Sequence, residues 1–161
     1  MPGYFLDTSA LSKHYHAETG TANVDAIFSQ VGQTPGAQLY ISRLAAVEYR
    51  SALARKVRSK LLTEPAYQHL CLLFEADVAQ KIVRVARVAD SHFHQASALI
   101  EKYALTQNLR TLDALQLAVA LSGHRQGVVN HFVCADKALC AIAQAEGLSV
   151  INPVPSFGPV P

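Results

Sequence analysis

The chain of 161 residues is half hydrophobic, has a mean hydropathy of +0.15 and carries a formal net charge of +2. This composition excludes an intrinsically disordered protein, because disordered chains are poor in hydrophobic residues, and the length is that of about one domain. So small a charge excess does not by itself indicate a nucleic-acid-binding protein. Three cysteines without a CxxC pair exclude a disulfide framework and a zinc knuckle.

No stretch of the sequence is typical of export or of membrane insertion. Asp7 interrupts the first apolar run and no basic segment precedes it, so we expect no signal peptide. The most apolar uncharged stretch, residues 114–123, is shorter than the roughly 20 residues of a membrane-spanning helix. We therefore expect a cytoplasmic protein without a membrane partner.

The hydrophobic pattern predicts short strands that alternate with helices along the chain. The expected strands are residues 4–6, 38–41, 82–88, 131–135 and 148–151. The first expected helix begins near residue 10 after a Thr8 or Ser9 cap. The others cover 21–31, 44–60 after Ser42, a segment after Thr63, a segment that Asp90 or Ser91 caps and that ends near 103, 112–121 and 136–146.

Strands that alternate with helices favour an α/β domain. We predict one such domain over residues 1–153, with a central parallel sheet of about four to five short strands and helices on both faces. Four prolines among residues 152–161 predict that residues 154–161 form an extended arm, since proline continues neither a helix nor a central strand.

Four of the twelve acidic residues lie in apolar surroundings. Asp7 and Asp136 each follow a predicted hydrophobic strand, whereas Glu48 and Asp113 lie in the first turns of predicted helices. The functional crevice of an open α/β sheet lies just outside the carboxyl ends of its strands. We therefore expect these four carboxylates to converge on one site.

Carboxylates that are brought together repel each other, by roughly 4 kcal/mol for a pair about 4 Å apart at an effective dielectric constant of about 20. Protonation, a basic partner or a cation has to offset that repulsion. Oxygen ligands suit Mg²⁺ or Mn²⁺ rather than zinc, and these ions serve phosphoryl chemistry. The alternative is that the acids are ordinary helix N-caps, each worth about 1 kcal/mol.

Four segments, in this order, resemble the motifs of PIN-domain ribonucleases. They read Tyr-Phe-Leu-Asp7-Thr-Ser-Ala-Leu, Leu-Ala-Ala-Val-Glu48-Tyr-Arg, Leu-Arg-Thr-Leu-Asp113-Ala-Leu-Gln and Phe-Val-Cys-Ala-Asp136-Lys. Their order and spacing, over residues 4–153, are similar to those of VapC-type toxins of toxin–antitoxin pairs.

The resemblance implies an Mg²⁺- or Mn²⁺-dependent endoribonuclease that hydrolyses RNA phosphodiester bonds with a cation-activated water. The catalytic and metal-binding residues implied by the family motifs are Asp7, Glu48, Asp113 and Asp136. The resemblance further implies a homodimer and a small antitoxin protein as partner. Two alternatives remain open, an RNA-processing nuclease without an antitoxin and a non-catalytic PIN-like binding module.

One position departs from the family pattern. Cys134 stands two residues before the fourth acid, where the family commonly carries Ser or Thr, and a thiol is a weaker hydrogen-bond donor than a hydroxyl. The remaining hydroxyl candidates are Ser9, two residues after Asp7, and Thr111, two residues before Asp113.

A basic cluster follows Glu48 along the same predicted helix. Its members are Arg50, Arg55, Lys56, Arg58 and Lys60. Either these cations are solvated and balance the carbonyl groups at the helix end, or Arg50, Arg55 and Lys56 contact RNA phosphates or an acidic antitoxin segment. Arg110, close to Asp113, is a further candidate contact.

Overall fold

The computed structural model describes residues 1–155. The five strands of this part are β1 Gly3–Leu6, β2 Gln38–Ser42, β3 Val83–Ala86, β4 His131–Val133 and β5 Ser149–Ile151. The seven helices of the same part are α1 Thr8–Tyr15, α2 Thr21–Gln33, α3 Arg43–Arg58, α4 Glu64–Ala79, α5 Asp90–Tyr103, α6 Thr111–Arg125 and α7 Lys137–Ala145.

All five strands are parallel and lie in the order β3-β2-β1-β4-β5, which confirms the predicted α/β class. The chain moves outward from β1 through β2 to β3, and then returns to the other side of β1 for β4 and β5. The strand order therefore reverses between β1 and β4, and crevices form at such a switch point, outside the carboxyl ends of the strands. Asp7 directly follows β1 and Asp136 follows β4 by three residues, so both acids lie at this crevice.

Alternation along β1 directs its side chains into two separate cores. Phe5 packs into the core that α5, α6 and α7 cover, whereas Tyr4 and Leu6 pack into the core that α1 to α4 cover. All three side chains are buried, as expected for a parallel strand covered on both faces. Helices therefore lie on both faces of the sheet, as predicted.

The predicted start of the first helix is wrong by two residues. α1 begins at Thr8 rather than near residue 10, and Asp7, instead of Thr8 or Ser9, is its N-cap. The Asp7 Oδ1 atom accepts a hydrogen bond from the Ala10 N–H at 2.8 Å. A carboxylate is as good an N-cap as a hydroxyl, so the sequence offered three adjacent capping residues and did not distinguish them.

The start of α5 and the end of α6 also differ from the prediction. α5 begins at Asp90, one residue after Ala89, whose N–H donates a hydrogen bond to His92 Nδ1 at 2.9 Å. His92 is the third residue of the helix and accepts from the N–H of the N-cap residue, as glutamate or glutamine does in a capping box. α6 continues to Arg125, beyond the predicted limit of 121. Residues 122–125 lie outside the apolar run from which the helix was predicted, so the pattern ended before the helix did.

The predicted arm, residues 154–161, lies outside the described residues apart from positions 154 and 155. Within residues 1–155, no helix combines the length and the apolar character that crossing a membrane requires.

Gly3 sets the close approach between β1 and the segment that leads into β4. Its N–H donates to Asn130 Oδ1 at 2.8 Å, and the Asn130 N–H donates back to the Gly3 carbonyl at 2.7 Å. A Cβ atom on residue 3 would lie only 1.8 Å from the Val128 carbonyl oxygen. The two strands that position Asp7 and Asp136 therefore require glycine at this point.

We expect Gly3→Ala to lower the free energy of unfolding by about 1–3 kcal/mol, because backbone atoms would have to move to admit the methyl group. Gly32→Ala is the matched control. An added Cβ there meets no atom within 4 Å, and alanine favours the interior of α2 by about 0.5–1 kcal/mol. Urea unfolding of both variants measures these changes. A Gly3→Ala protein as stable as the wild type would contradict the requirement for glycine at residue 3.

Candidate active site

One cavity of about 540 Å³, called here the acidic cavity, lies at the carboxyl ends of β1 and β4. All four acids predicted from the sequence line it, namely Asp7, Glu48, Asp113 and Asp136. Asp7 joins β1 directly to α1, Asp136 comes from the loop after β4, Glu48 comes from α3, and Asp113 comes from the first turn of α6. The fold thus brings together four carboxylates that are far apart in the sequence.

Asp7 is a buried carboxylate with a full set of donors. Both of its oxygens accept from Ser9 Oγ at 2.8 Å, in addition to the helix-capping bond from Ala10 N–H. Burial raises the pKa of Asp7 to about 6, the hydrogen bonds oppose this rise, and the charge of Asp113 adds to it. Negative charge at Asp7 is therefore costly in the metal-free protein.

Ser9, in the first turn of α1, is hydrogen-bonded to the loop after β4 that carries Asp136. Asp136 is the N-cap of α7, and its Oδ1 atom accepts from the Leu139 N–H at 2.9 Å. The Ala135 N–H donates to Ser9 Oγ at 3.1 Å. Asp7 and Asp136 are therefore helix caps and cavity walls at the same time, so the two interpretations of these acids do not exclude each other.

Glu48 is held by Thr8 and Gln116, which the sequence analysis did not assign to the site. Thr8 Oγ1 donates to Glu48 Oε2 at 2.7 Å, and Gln116 Nε2 donates to the same oxygen and to Thr8 Oγ1. The Gln116 side chain is 2% exposed, and its Oε1 atom has no hydrogen-bond partner among residues 1–155. The sequence does mark Gln116 as unusual, because it is a polar residue inside the apolar run 114–121, one turn after Asp113.

Asp113 is paired with Arg110 across the first turn of α6. Arg110 Nε lies 3.0 Å from Asp113 Oδ2, and the arginine is largely exposed whereas the acid is mostly covered. The hydrogen bond to Asp113 raises the pKa of Arg110, and the charges of Asp136 and Glu48 add to this rise. Arg110 therefore lies in the combined field of three of the four acids.

The three predicted supporting residues all lie at this site. Ser9 and Thr111 line the acidic cavity, and Cys134 Sγ donates to Asp7 Oδ2 at 3.3 Å. A hydrogen bond with Cys140 and burial raise the pKa of Cys134, so Cys134 remains a thiol that donates its hydrogen. The thiol thus contacts the first acid, although it precedes the fourth acid in the sequence.

The predicted basic contacts are divided by the fold. Arg55 lines the acidic cavity, and Lys56 lines a neighbouring one. Arg50 faces α4 instead, where its Nη2 atom lies 2.5 Å from Glu75 Oε1 and its guanidinium covers the Phe74 ring. The position of Arg50 therefore does not support the predicted contact with RNA or antitoxin.

The donor set of the acidic cavity fits a hard divalent cation, because it contains four carboxylates. Within residues 1–155, however, no three His, Cys, Asp or Glu side chains are arranged to hold an ion in their present positions. Each carboxylate faces a protein donor instead. Arg110 contacts one oxygen of Asp113, so a cation at this acid either displaces Arg110 from Oδ2 or binds the other oxygen.

Two of three comparisons with known proteins find a match for the chain. A sequence family described as PIN domain matches residues 4–144, and the comparison with curated proteins gives no match. Among solved structures, the chain is similar to Mycobacterium tuberculosis VapC20, a Sarcin-Ricin loop cleaving toxin, with a TM-score of 0.65, 17% identity and coverage of 93% of this chain and 99% of that one.

Two further structures show the same likeness. FitAcB from Neisseria gonorrhoeae matches with a TM-score of 0.62 and 17% identity, over 93% of this chain and 97% of that one. VapBC2 from Rickettsia felis, bound to a DNA fragment from its promoter, matches with a TM-score of 0.61 and 13% identity, over 93% of this chain and 98% of that one. At these identities the likeness establishes the fold.

We expect Asp7→Asn to make the metal-free protein more stable near neutral pH. Asparagine caps a helix as well as aspartate does, but it carries no buried charge. Because the pKa of Asp7 is 3.8 at its ordinary value and about 6 in the fold, the folded wild type binds more protons than the unfolded chain between these values. Its stability therefore falls as the pH rises from about 4 to about 6, by roughly 3 kcal/mol at most.

Thermal melts in chelator between about pH 4 and pH 7.5 measure this effect. Asp7→Asn should lack the loss of stability, whereas Glu101→Gln, which removes an exposed charge from α5, should keep it. Identical pH profiles for Asp7→Asn and the wild type would contradict a buried, unfavourably charged Asp7.

Proposed function

Since the chain belongs to the PIN-domain family, we propose that it is a metal-dependent endoribonuclease and the toxin component of a VapBC-type toxin–antitoxin system. The observation that carries the nuclease proposal is the meeting of Asp7, Glu48, Asp113 and Asp136 in one cavity at the switch point of a parallel sheet. In this proposal the substrate is RNA, and the reaction is hydrolysis of a phosphodiester bond.

The four acids would hold Mg²⁺ or Mn²⁺. A bound ion of this kind would polarise a phosphoryl oxygen, which makes the phosphorus a better electrophile, and would lower the pKa of water, which makes it a better nucleophile. Asp7 contributes a carboxylate whose orientation is fixed by Ser9, Ala10 and Cys134. Glu48 contributes a carboxylate that Thr8 and Gln116 orient.

Arg110 and Arg55 supply the positive charge that an RNA strand needs near these acids. Arg110 is paired with Asp113, and a cation at Asp113 would free its guanidinium for a phosphate oxygen, which arginine binds well. Arg55 lines the same cavity. The exchange of partners at Arg110 would couple ion binding to substrate binding.

The toxin part of the proposal is supported by the solved structures of similar fold. They include VapC20, which is named as a toxin that cleaves the Sarcin-Ricin loop, and a toxin–antitoxin complex from Klebsiella pneumoniae. By analogy, the partners of this chain would be a cognate small antitoxin and a second copy of itself in a homodimer, in the cytoplasm.

We expect the purified protein to cleave RNA only with a divalent cation. EDTA should abolish cleavage and added Mg²⁺ or Mn²⁺ should restore it, because carboxylates without a cation do not polarise the phosphoryl oxygen. Asp113→Asn should lower the rate by on the order of 10²-fold or more, by analogy with the loss of one charge-stabilising group. Gel assays on tRNA and ribosomal RNA fragments, with Glu101→Gln as the matched control, measure this, and cleavage in chelator would exclude the mechanism.

A growth assay tests the toxin proposal separately from the chemistry. Induced expression of the wild-type chain in a bacterial host should stop growth, because unrestrained RNA cleavage depletes functional RNA. Asp7→Asn should permit growth at an equal protein level, and co-expression of an adjacent small reading frame should restore growth to the wild type. Cleavage in vitro without any effect on growth would favour the RNA-processing nuclease.

A further inference from the structure

A second cavity of about 380 Å³, called here the basic cavity, adjoins the acidic cavity. The two cavities share Ser9, Ser12 and Arg55 on their walls, whereas Lys13 and Lys56 line only the second. The three cations of the basic cavity are therefore continuous with the carboxylates of the acidic one, and a single extended ligand is able to occupy both.

Lys13 is a buried cation that the proposed chemistry does not use. The residue is 8% exposed, and lysine is rarely buried to this extent without a close partner. Among residues 1–155 its salt-bridge partner is Glu18, with 3.5 Å between Lys13 Nζ and Glu18 Oε1. This separation exceeds the roughly 2.7–2.9 Å of a charge-assisted hydrogen bond, so the fold leaves Lys13 incompletely paired.

Glu18 lies between two ammonium groups. Its Oε2 atom is 3.9 Å from Lys56 Nζ, which also lies 2.9 Å from His16 Nδ1. The Glu18 side chain is 37% exposed and comes from the short segment between α1 and α2. Glu18 is thus a partly exposed carboxylate, loosely held by two cations, in the position that an oxyanion of a ligand would take.

We propose that Lys13, Lys56 and Arg55 form a subsite for an RNA backbone phosphate next to the scissile one, and that Glu18 takes the place of this phosphate when RNA is absent. The inference rests on the proposed function, because it assigns a substrate contact to that site. Lys13 follows Ser9 by one turn of α1, about 6 Å along the helix axis, a spacing comparable to that between neighbouring phosphates of an extended strand.

Charge favours a nucleic acid over an acidic peptide as the ligand. Four carboxylates at one end of the continuous cleft repel a polyanion unless a divalent cation balances them. Mg²⁺ is usually bound by one or two carboxylates together with substrate phosphates, so a phosphodiester strand suits a cleft that has carboxylates at one end and cations at the other. Cationic phosphate contacts outside the reaction centre would also hold the strand regardless of its base sequence.

Binding measurements test the subsite without relying on cleavage. The Asp113→Asn protein in Mg²⁺ serves as the background, with a fluorescently labelled single-stranded oligoribonucleotide as the probe. Lys13→Met should raise the Kd about tenfold and reduce the salt dependence of log Kd by about 0.7, the value for one lost phosphate contact. Glu18→Gln should lower the Kd about threefold, because it removes a competing carboxylate of modest strength.

Lys102→Met is the matched control, since Lys102 pairs with Glu146 at 2.7 Å outside both cavities. It should leave the Kd within the error of the measurement. Lys56→Met, at a more exposed cation, provides a second test if Lys13→Met folds poorly, and it should also weaken binding and lower the salt dependence.

Two results would overturn the subsite. In the first, Glu18→Gln and Lys56→Met leave the Kd unchanged, which would make the cluster a purely structural salt bridge. In the second, a polyglutamate peptide loses affinity in Lys56→Met while RNA does not, which would assign the cavity to an acidic protein segment. Absence of RNA cleavage by the wild type, with the expected pattern of Kd values, would refute the proposed nuclease and support the subsite.

Discussion

Mutual repulsion among four carboxylates is the constraint on which the rest of the site depends. Each acid has its own arrangement of partners, and together these account for most of the polar residues in the cavity. The pairs are Asp7 with Ser9 and Cys134, Glu48 with Thr8 and Gln116, Asp113 with Arg110, and Asp136 with the first turn of α7. Hydrogen-bond donors of the protein therefore offset part of the repulsion among the four acids.

The sheet supplies the rigidity that this arrangement needs. β1 and β4 are paired from Tyr4 to Leu6, and the Asp7 N–H extends the ladder by donating to the Val133 carbonyl at 3.0 Å. Because Asp7 also begins α1, its backbone is fixed by a strand on one side and a helix on the other. The position of the first acid is thus determined by secondary structure and not by a loop.

The sequence predicted the strands, the fold class and the convergence of the four acids, because each acid follows or lies near an apolar run with a clear period. It did not predict the partners of Glu48. Gln116 belongs to another helix, and no local pattern indicates which distant carboxylate a buried amide will meet.

The basic cluster on α3 shows a different limit of the sequence analysis. Arg50 and Arg55 are five residues apart, which corresponds to about 140° around a helix, so they occupy different faces. Arg55 follows Glu48 by seven residues and therefore lies on the same face, whereas Arg50 turns toward α4. The sequence analysis grouped these cations because they are close in the sequence. The helical period alone predicts that Arg50 and Arg55 lie on different faces.

Three helices begin at the acidic cavity, and their orientation has an electrical consequence. Asp7 and Asp136 cap α1 and α7, and Asp113 lies in the first turn of α6. The aligned peptide groups of a helix place about half a positive elementary charge at its N-terminus. This potential comes from the backbone, so neither pH nor the loss of a bound ion removes it. The backbone therefore contributes a permanent positive potential that offsets part of the repulsion among the four carboxylates.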